Sequence, residues 1–136
     1  MPVLLIAIVA MLVQQTVATA VKVGLPALFP AVAEELAFDA KYVLIYTWVF
    51  SASAVCVMTG CGGVIRRYGA LRTSQLGCVF MASGLACAAT LASPALLIPA
   101  LGIAAVLISI GATVATPASS QILAAYAPPK WAPLVF

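Results

Sequence analysis

GGVIRRYGALR, residues 62–72, carries Arg66, Arg67 and Arg72, three of the six basic residues in a chain of which only 7% is charged. These arginines stand between long uncharged runs, and that contrast decides the fold. Tyr42 to Ile65 holds no charge on one side, positions 73 to 129 hold none on the other, and Met1 to Val21 is also uncharged. A water-soluble domain carries about 25% charged residues because its surface faces water. With 65% apolar residues and three acids in 136 positions, this composition belongs in a bilayer.

A helix crossing a hydrocarbon core of about 30 Å uses roughly 20 apolar residues. The first two runs supply one crossing each. The run from 73 to 129 would make a helix about 85 Å long, so it must double back. Ser93-Pro94, with Pro99 following, supplies the break. The expected fold is all-α, a polytopic membrane bundle of four transmembrane helices near Val3–Val23, Val43–Ile65, Ser74–Leu91 and Leu96–Leu123, forming one membrane domain over residues 1–136. The period-two alternation of a membrane strand barrel is lacking. Ala18-Thr19-Ala20 looks like a signal-peptide cleavage site, but no basic residue precedes the first run and that run continues past the site. Cys56, Cys61, Cys78 and Cys87 fall within predicted helices without a CxxC spacing, and read as small packing residues rather than disulfide or metal partners.

Short loops rich in Lys and Arg stay on the cytoplasmic side. The arginine turn contains no acid and is expected there. Glu34, Glu35 and Asp39, with only Lys41 among them, and the uncharged Ser93-Pro94 turn are expected outside, while Lys130 returns to the inside. Both termini are then cytoplasmic, in a cell inner membrane. Tyr42 and Tyr46 fall at the outer interface, and Tyr68, Tyr126 and Trp131 near the inner one. Asp39 either caps the second helix, with Phe38 and Val43 as a hydrophobic staple, or lies in a loop. Ala82, Ala86 and Thr90 in the third helix, and Gly111, Ala115 and Ser119 in the fourth, recur every four residues, a spacing that lets helix backbones approach closely.

The stretch 62–72, followed by Thr73-Ser74-Gln75-Leu76-Gly77, resembles the turn between the second and third helices of the major facilitator superfamily, whose usual form is G-x-L-A-D-R-x-G-R-K/R. Gly62, Val64, Arg67, Gly69 and Arg72 match its first glycine, leucine, arginine, second glycine and basic tail. Arg66 stands where the family has an aspartate, so the charge contact implied for that aspartate on the cytoplasmic side cannot form in the same way. Apart from any family, a link of about seven residues with glycine at 69 suits a tight reversal with positive φ. Its arginines suit helix C-terminal carbonyls, lipid phosphates and the positive-inside rule. A plain topogenic turn explains the arginines but not the glycine spacing. LPALFPAVAEEL (25–36) resembles the end of the family's first helix, and TPASSQILAAYAPPKWAPLVF (116–136) the end of its fourth and the link to a fifth. The resemblance covers four helices of a fold that usually has two six-helix halves, and implies the N-terminal portion of a secondary transporter of a small solute.

Gln15, Thr19 and Lys22 share one face of the first helix at i, i+4 and i+7. The resemblance implies that this helix faces the central cavity, and an intramembrane ionisable residue marks a function by default. A cavity-facing Lys22 would take an anionic substrate or a carboxylate counter-ion; near the outer end its stem could instead snorkel to the headgroups. Gln14, about 100° away from Gln15, is set to bond a neighbouring helix. Thr113, Thr116 and Pro117 would loosen backbone bonding in the fourth. With no histidine, no embedded acid and no nucleophile beside a base, neither an enzyme nor a cofactor nor a metal is expected. The net charge of +3 is accounted for by the inside loops and implies no nucleic acid. Expected partners are the lipid bilayer, a small-molecule substrate, and either further transporter helices or a second copy. A self-contained dimeric exporter of the small multidrug resistance kind suits the length, but that resemblance calls for a membrane-embedded glutamate. A non-transporting membrane subunit has only its helix number in its favour. The isolated chain is expected to insert without transporting, as vesicle uptake assays would measure; saturable uptake would favour the dimeric exporter.

Overall fold

The computed structural model describes residues 2–35, 39, 41–89 and 97–126. They form four helices: α1 (Pro2–Glu35), α2 (Tyr42–Tyr68), α3 (Ala70–Ala89) and α4 (Leu97–Tyr126). The regular structure of the described residues is thus all helix, and α1, α2 and α4 are long and apolar enough to cross a membrane. Among the described residues α3 falls short of that measure. Arg72, Thr73, Ser74 and Gln75 open it, leaving an apolar stretch from 76 to 89 of about 21 Å. The expected break at Ser93-Pro94, together with Phe38, Thr90, Lys130 and Trp131, lies outside the described residues.

α1 corrects the expected end at Val23: it runs on through Pro26 and Pro30 to Glu35. Each proline removes a helix hydrogen bond and crowds the preceding turn, at about 3 kcal/mol or more in an unsupported helix. Tertiary packing offsets this. Phe29 and Ala33, beyond the first proline, are buried, and Phe29 packs with Leu101, Tyr42 and Val43 from α4 and α2.

The α2–α3 link is a single residue rather than about seven. Gly69 has φ 83 and ψ 149, a region open essentially to glycine alone, so the expected positive φ is there. Its N–H donates to the Ile65 carbonyl at 2.9 Å, and its own carbonyl accepts the Thr73 N–H at 3.1 Å and the Thr73 hydroxyl at 2.7 Å. Gly62 therefore sits inside α2, not in the turn. Arg66 and Arg67 remain helical in the last turn of α2, where cations offset the partial negative charge of the terminal carbonyls. At the other end of α2, Asp39 is not the side-chain cap. Lys41 holds the N-cap position without a side-chain hydrogen bond, and the Asp39 carboxylate accepts the Lys41 N–H at 3.0 Å instead.

α4 is the hub. It packs on all three other helices, most extensively on α3, whereas α1 and α2 barely meet. Of its most apolar stretch 44% is buried, against 11% in α1 and in α2, and Ala104, Ala105, Ala115 and Ala118 are fully enclosed. Small residues make this possible, since backbones can then approach from several sides. Gly111, Ala115 and Ser119 form a buried stripe, as their spacing predicts. The partner face of α3 differs from expectation: Ala82 and Ala86 are exposed, and Thr73, Ser74, Gly77, Met81 and Gly84 are buried. Glycine wins over alanine because the approach is too close for a Cβ. One added at Gly111 would run into the Gly77 carbonyl and Met81, and one at Gly84 would lie 2.7 Å from Ile108. Cys61 is buried and Cys87 half-buried, but Cys56 and Cys78 are exposed, so only the first two pack inside.

Contacts fix the directions. Gly77 meets Gly111 and Gly84 meets Ile108, so α3 and α4 are antiparallel. Ala18 packs with Met81 and Ala115, and Phe29 with Leu101, so α1 is antiparallel to α4 as well. Arg66, Arg67 and Arg72 mark one end of this up-down bundle, together with the start of α1 and the end of α4. Glu34, Glu35, Asp39 and Lys41 mark the other. In detergent, Gly111→Ala should cost about 1–3 kcal/mol through overpacking. Gly62→Ala, with nothing within 4 Å of the new Cβ, should be neutral or stabilising by up to about 1 kcal/mol. Thermal unfolding followed by circular dichroism separates the two.

Candidate functional site

Charge is confined to the two ends with one exception. At the arginine end Arg66, Arg67 and Arg72 are all exposed, and the Arg67 guanidinium lies 5.6 Å from the Tyr68 ring centroid. At the acidic end the Asp39 carboxylate and Lys41 ammonium pair at 2.6 Å. That hydrogen bond from Lys41 holds the Asp39 carboxyl below its usual range and raises Lys41. Any resulting stabilisation is present above the ordinary carboxylate pKa and fades as pH falls through the depressed one. The pair is exposed to solvent and counts for little.

Lys22 is the exception, the one charged side chain among the described residues between those ends. Its expected place was near the outer end of the first helix. Because α1 continues to Glu35, about 20 Å of helix lies beyond it. Cα–Cβ bonds tilt toward a helix N-terminus, which in α1 is the arginine end, so the stem of Lys22 sets out toward the middle of the bundle. Its Nζ stands 5.8 Å from the centroid of the Phe50 ring, a cation–π contact worth about 0.5–1 kcal/mol for an exposed lysine.

Both groups open on a groove of about 310 Å³ between three helices, lined by Lys22 of α1, Phe50, Ala54 and Met58 of α2, and Ala112, Thr113 and Thr116 of α4. Its lining comes from the middle of α2 and of α4, so the groove lies at mid-height. Ser109, fully enclosed, donates its hydroxyl to the Phe50 carbonyl at 2.9 Å and pins α2 to α4 at that level. Tyr46, one turn nearer the acidic end, stacks tilted on Phe50 with centroids 6.1 Å apart. It is 2% exposed, and its hydroxyl has no hydrogen-bond partner. Prolines weaken two of the three helices here: Pro26 cannot donate to the Lys22 carbonyl, nor Pro117 to that of Thr113.

The expected stripe divides. Lys22 lines the groove, but half-buried Gln15 and exposed Thr19 do not, because nearer the arginine end α1 closes on α3 and α4. Gln14 makes that closure: its side-chain oxygen accepts the Ser74 hydroxyl at 2.8 Å, the bond to a neighbouring helix that its offset predicts, while its amide nitrogen is buried without a partner. Thr113 and Thr116, expected only to loosen the backbone, present side chains to the groove. Phe50 carried no signal at all in the sequence, since one aromatic among apolar residues is unremarkable until Lys22 is placed above it. A second cavity of about 340 Å³, bounded by α2, α3 and α4 near the arginine end, is lined by Val57, Cys61, Val64, Phe80, Val114 and other apolar residues. Its one hydroxyl, on Thr73, is spent on Gly69. Among the described residues no three His, Cys, Asp or Glu side chains gather. One ammonium, two hydroxyls and an aromatic face on this groove can hold a solute through charge, hydrogen bonding and packing.

Compared with known protein families, with curated proteins and with solved structures, the chain matches none. Tyr46→Phe should leave stability unchanged or raise it by about 1–3 kcal/mol, since it removes an unpaired buried hydroxyl. Ser109→Ala should lower it by about 0.5–1.5 kcal/mol. Chemical unfolding of the two variants in one detergent checks the sign of each.

Proposed function

We propose that the chain is a multi-pass protein of the cell inner membrane and works as part of a secondary transporter of the major facilitator type, with its arginine end in the cytoplasm and α3 as a fourth crossing. The observation that carries this is the groove: a mid-height site between helices, with an ionisable residue on it, is where such carriers hold their solute. Further support comes from the prolines of α1 and α4, which supply bending points at groove level. The residues 62–72 add their likeness to the family turn, with Arg66 in place of its aspartate. Three arginines at one end against Glu34, Glu35 and Asp39 at the other agree with the positive-inside rule. The groove is open on one side, so in this reading further helices or a second copy complete the pathway. The dimeric-exporter reading has less behind it, because every acid lies at the bundle's acidic end and none at mid-height.

The test is cysteine accessibility in a cysteine-free background, in cells. Ala54→Cys and Thr113→Cys should react with a hydrophilic, membrane-impermeant thiol reagent delivered to the appropriate side. Val79→Cys, on the exposed outer face of α3, should not. Tyr68→Cys should react only after permeabilisation and Asp39→Cys before it. Positions 54 and 113 as inert as 79 would remove the pathway; Tyr68→Cys reacting from outside would invert the topology.

A further inference from the structure

Lys22 is exposed on the bundle, and at mid-height in a bilayer an exposed ammonium faces hydrocarbon unless it has a partner. Among the described residues the ion pair is Lys41 with Asp39, at the acidic end, and no carboxylate lines the groove. The Phe50 ring at 5.8 Å returns about 0.5–1 kcal/mol, whereas moving an ammonium out of water costs several. Snorkelling is a poor remedy, since the stem leaves α1 toward mid-height and the acidic end lies about 20 Å away along the helix. The remaining remedy is an anion brought from solution.

On the footing of that pathway, we infer that the groove binds a small organic monoanion, a carboxylate carried on an apolar body. The charged end meets the Lys22 ammonium, with the Thr113 and Thr116 hydroxyls on the opposite wall as donors. The apolar body lies against Phe50, Ala54 and Met58. Each part has a physical reason. One lysine neutralises one charge, so a dianion would keep an unpaired charge in an apolar site. A volume of about 310 Å³ is at the small end of the range for small-molecule sites. The Phe50 ring beside the ammonium is fixed in height through Ser109 and the Phe50 carbonyl, so that wall of the groove needs little ordering for binding. On binding, the ammonium exchanges a weak cation–π contact for a charge-assisted hydrogen bond to the anion, which is the stronger of the two.

The test uses the full chain in nanodiscs of zwitterionic lipid, titrated with 4-fluorobenzoate and followed by fluorine NMR, with empty nanodiscs as the partition control. Saturable binding is expected for 4-fluorobenzoate, and binding weaker by about tenfold or more for the neutral 4-fluorobenzamide, the loss of one ion pair. Lys22→Gln should weaken 4-fluorobenzoate by a similar factor, while Lys22→Arg, which keeps the charge, should stay within about threefold of the parent. Equal affinity for the acid and the amide overturns the inference without any variant. So does the absence of saturable binding by the parent chain, or unchanged affinity in a folded Lys22→Gln. If any of these occurs while Ala54→Cys and Thr113→Cys still react from water, the pathway stands and only its anionic ligand falls.

Discussion

The bundle depends on the close approach of α3 and α4 at Gly77 and Gly111. Helices in lipid gain little from burying apolar surface, because lipid tails are as apolar as leucine; they associate through backbone proximity and packing instead. A Cβ at position 111 would hold the two helices apart. With α3 drawn in, Thr73, Ser74, Met81 and Gly84 are buried too, and Ser74 reaches Gln14 on α1. The same small-residue character lets α2 lie along another side of α4, where Ser109 reaches the Phe50 backbone. One uncharged helix thereby organises three neighbours without a single ion pair between them among the described residues.

The height of Lys22 follows from α1 ignoring its prolines. Were the helix to stop at Val23, the lysine would be a residue at a helix end, free to reach the headgroups. Continuation to Glu35 turns the same residue into a mid-bundle cation. What sustains the continuation is packing beyond Pro26, Phe29 against Leu101 above all. A contact about two turns away from Lys22 thus decides what Lys22 faces. The groove is a by-product of the hub arrangement: α1 and α2 both lean on α4 and scarcely on each other, so space is left between them.

Much of the fold was legible. Uncharged runs and the arginine turn predicted four helices with their order. Gly69 was readable as a positive-φ residue, and Gly111, Ala115 and Ser119 as a packing stripe. The length of the link was not, because arginines continue a helix as readily as they leave it, and only the Gly69 geometry ends α2 and starts α3 within one residue. The Ala82 and Ala86 stripe misled for a simple reason: alanine and glycine are both small, and the sequence does not say how close the partner helix comes. Of the candidate site, Lys22 was found by its charge alone, whereas Phe50, Ser109 and Tyr46 were invisible, each ordinary within its own helix.

By itself, then, the sequence determined the number of helices, their apolar character and the ends to which charge is confined, because those follow from whether each residue tolerates hydrocarbon, a property of the single side chain. Only the tertiary structure decided which faces meet, how far α1 extends and that Lys22 overlooks a groove with Phe50, Thr113 and Thr116. These depend on distances between helices far apart in the chain, and such distances are set by pairs of surfaces that no local pattern describes.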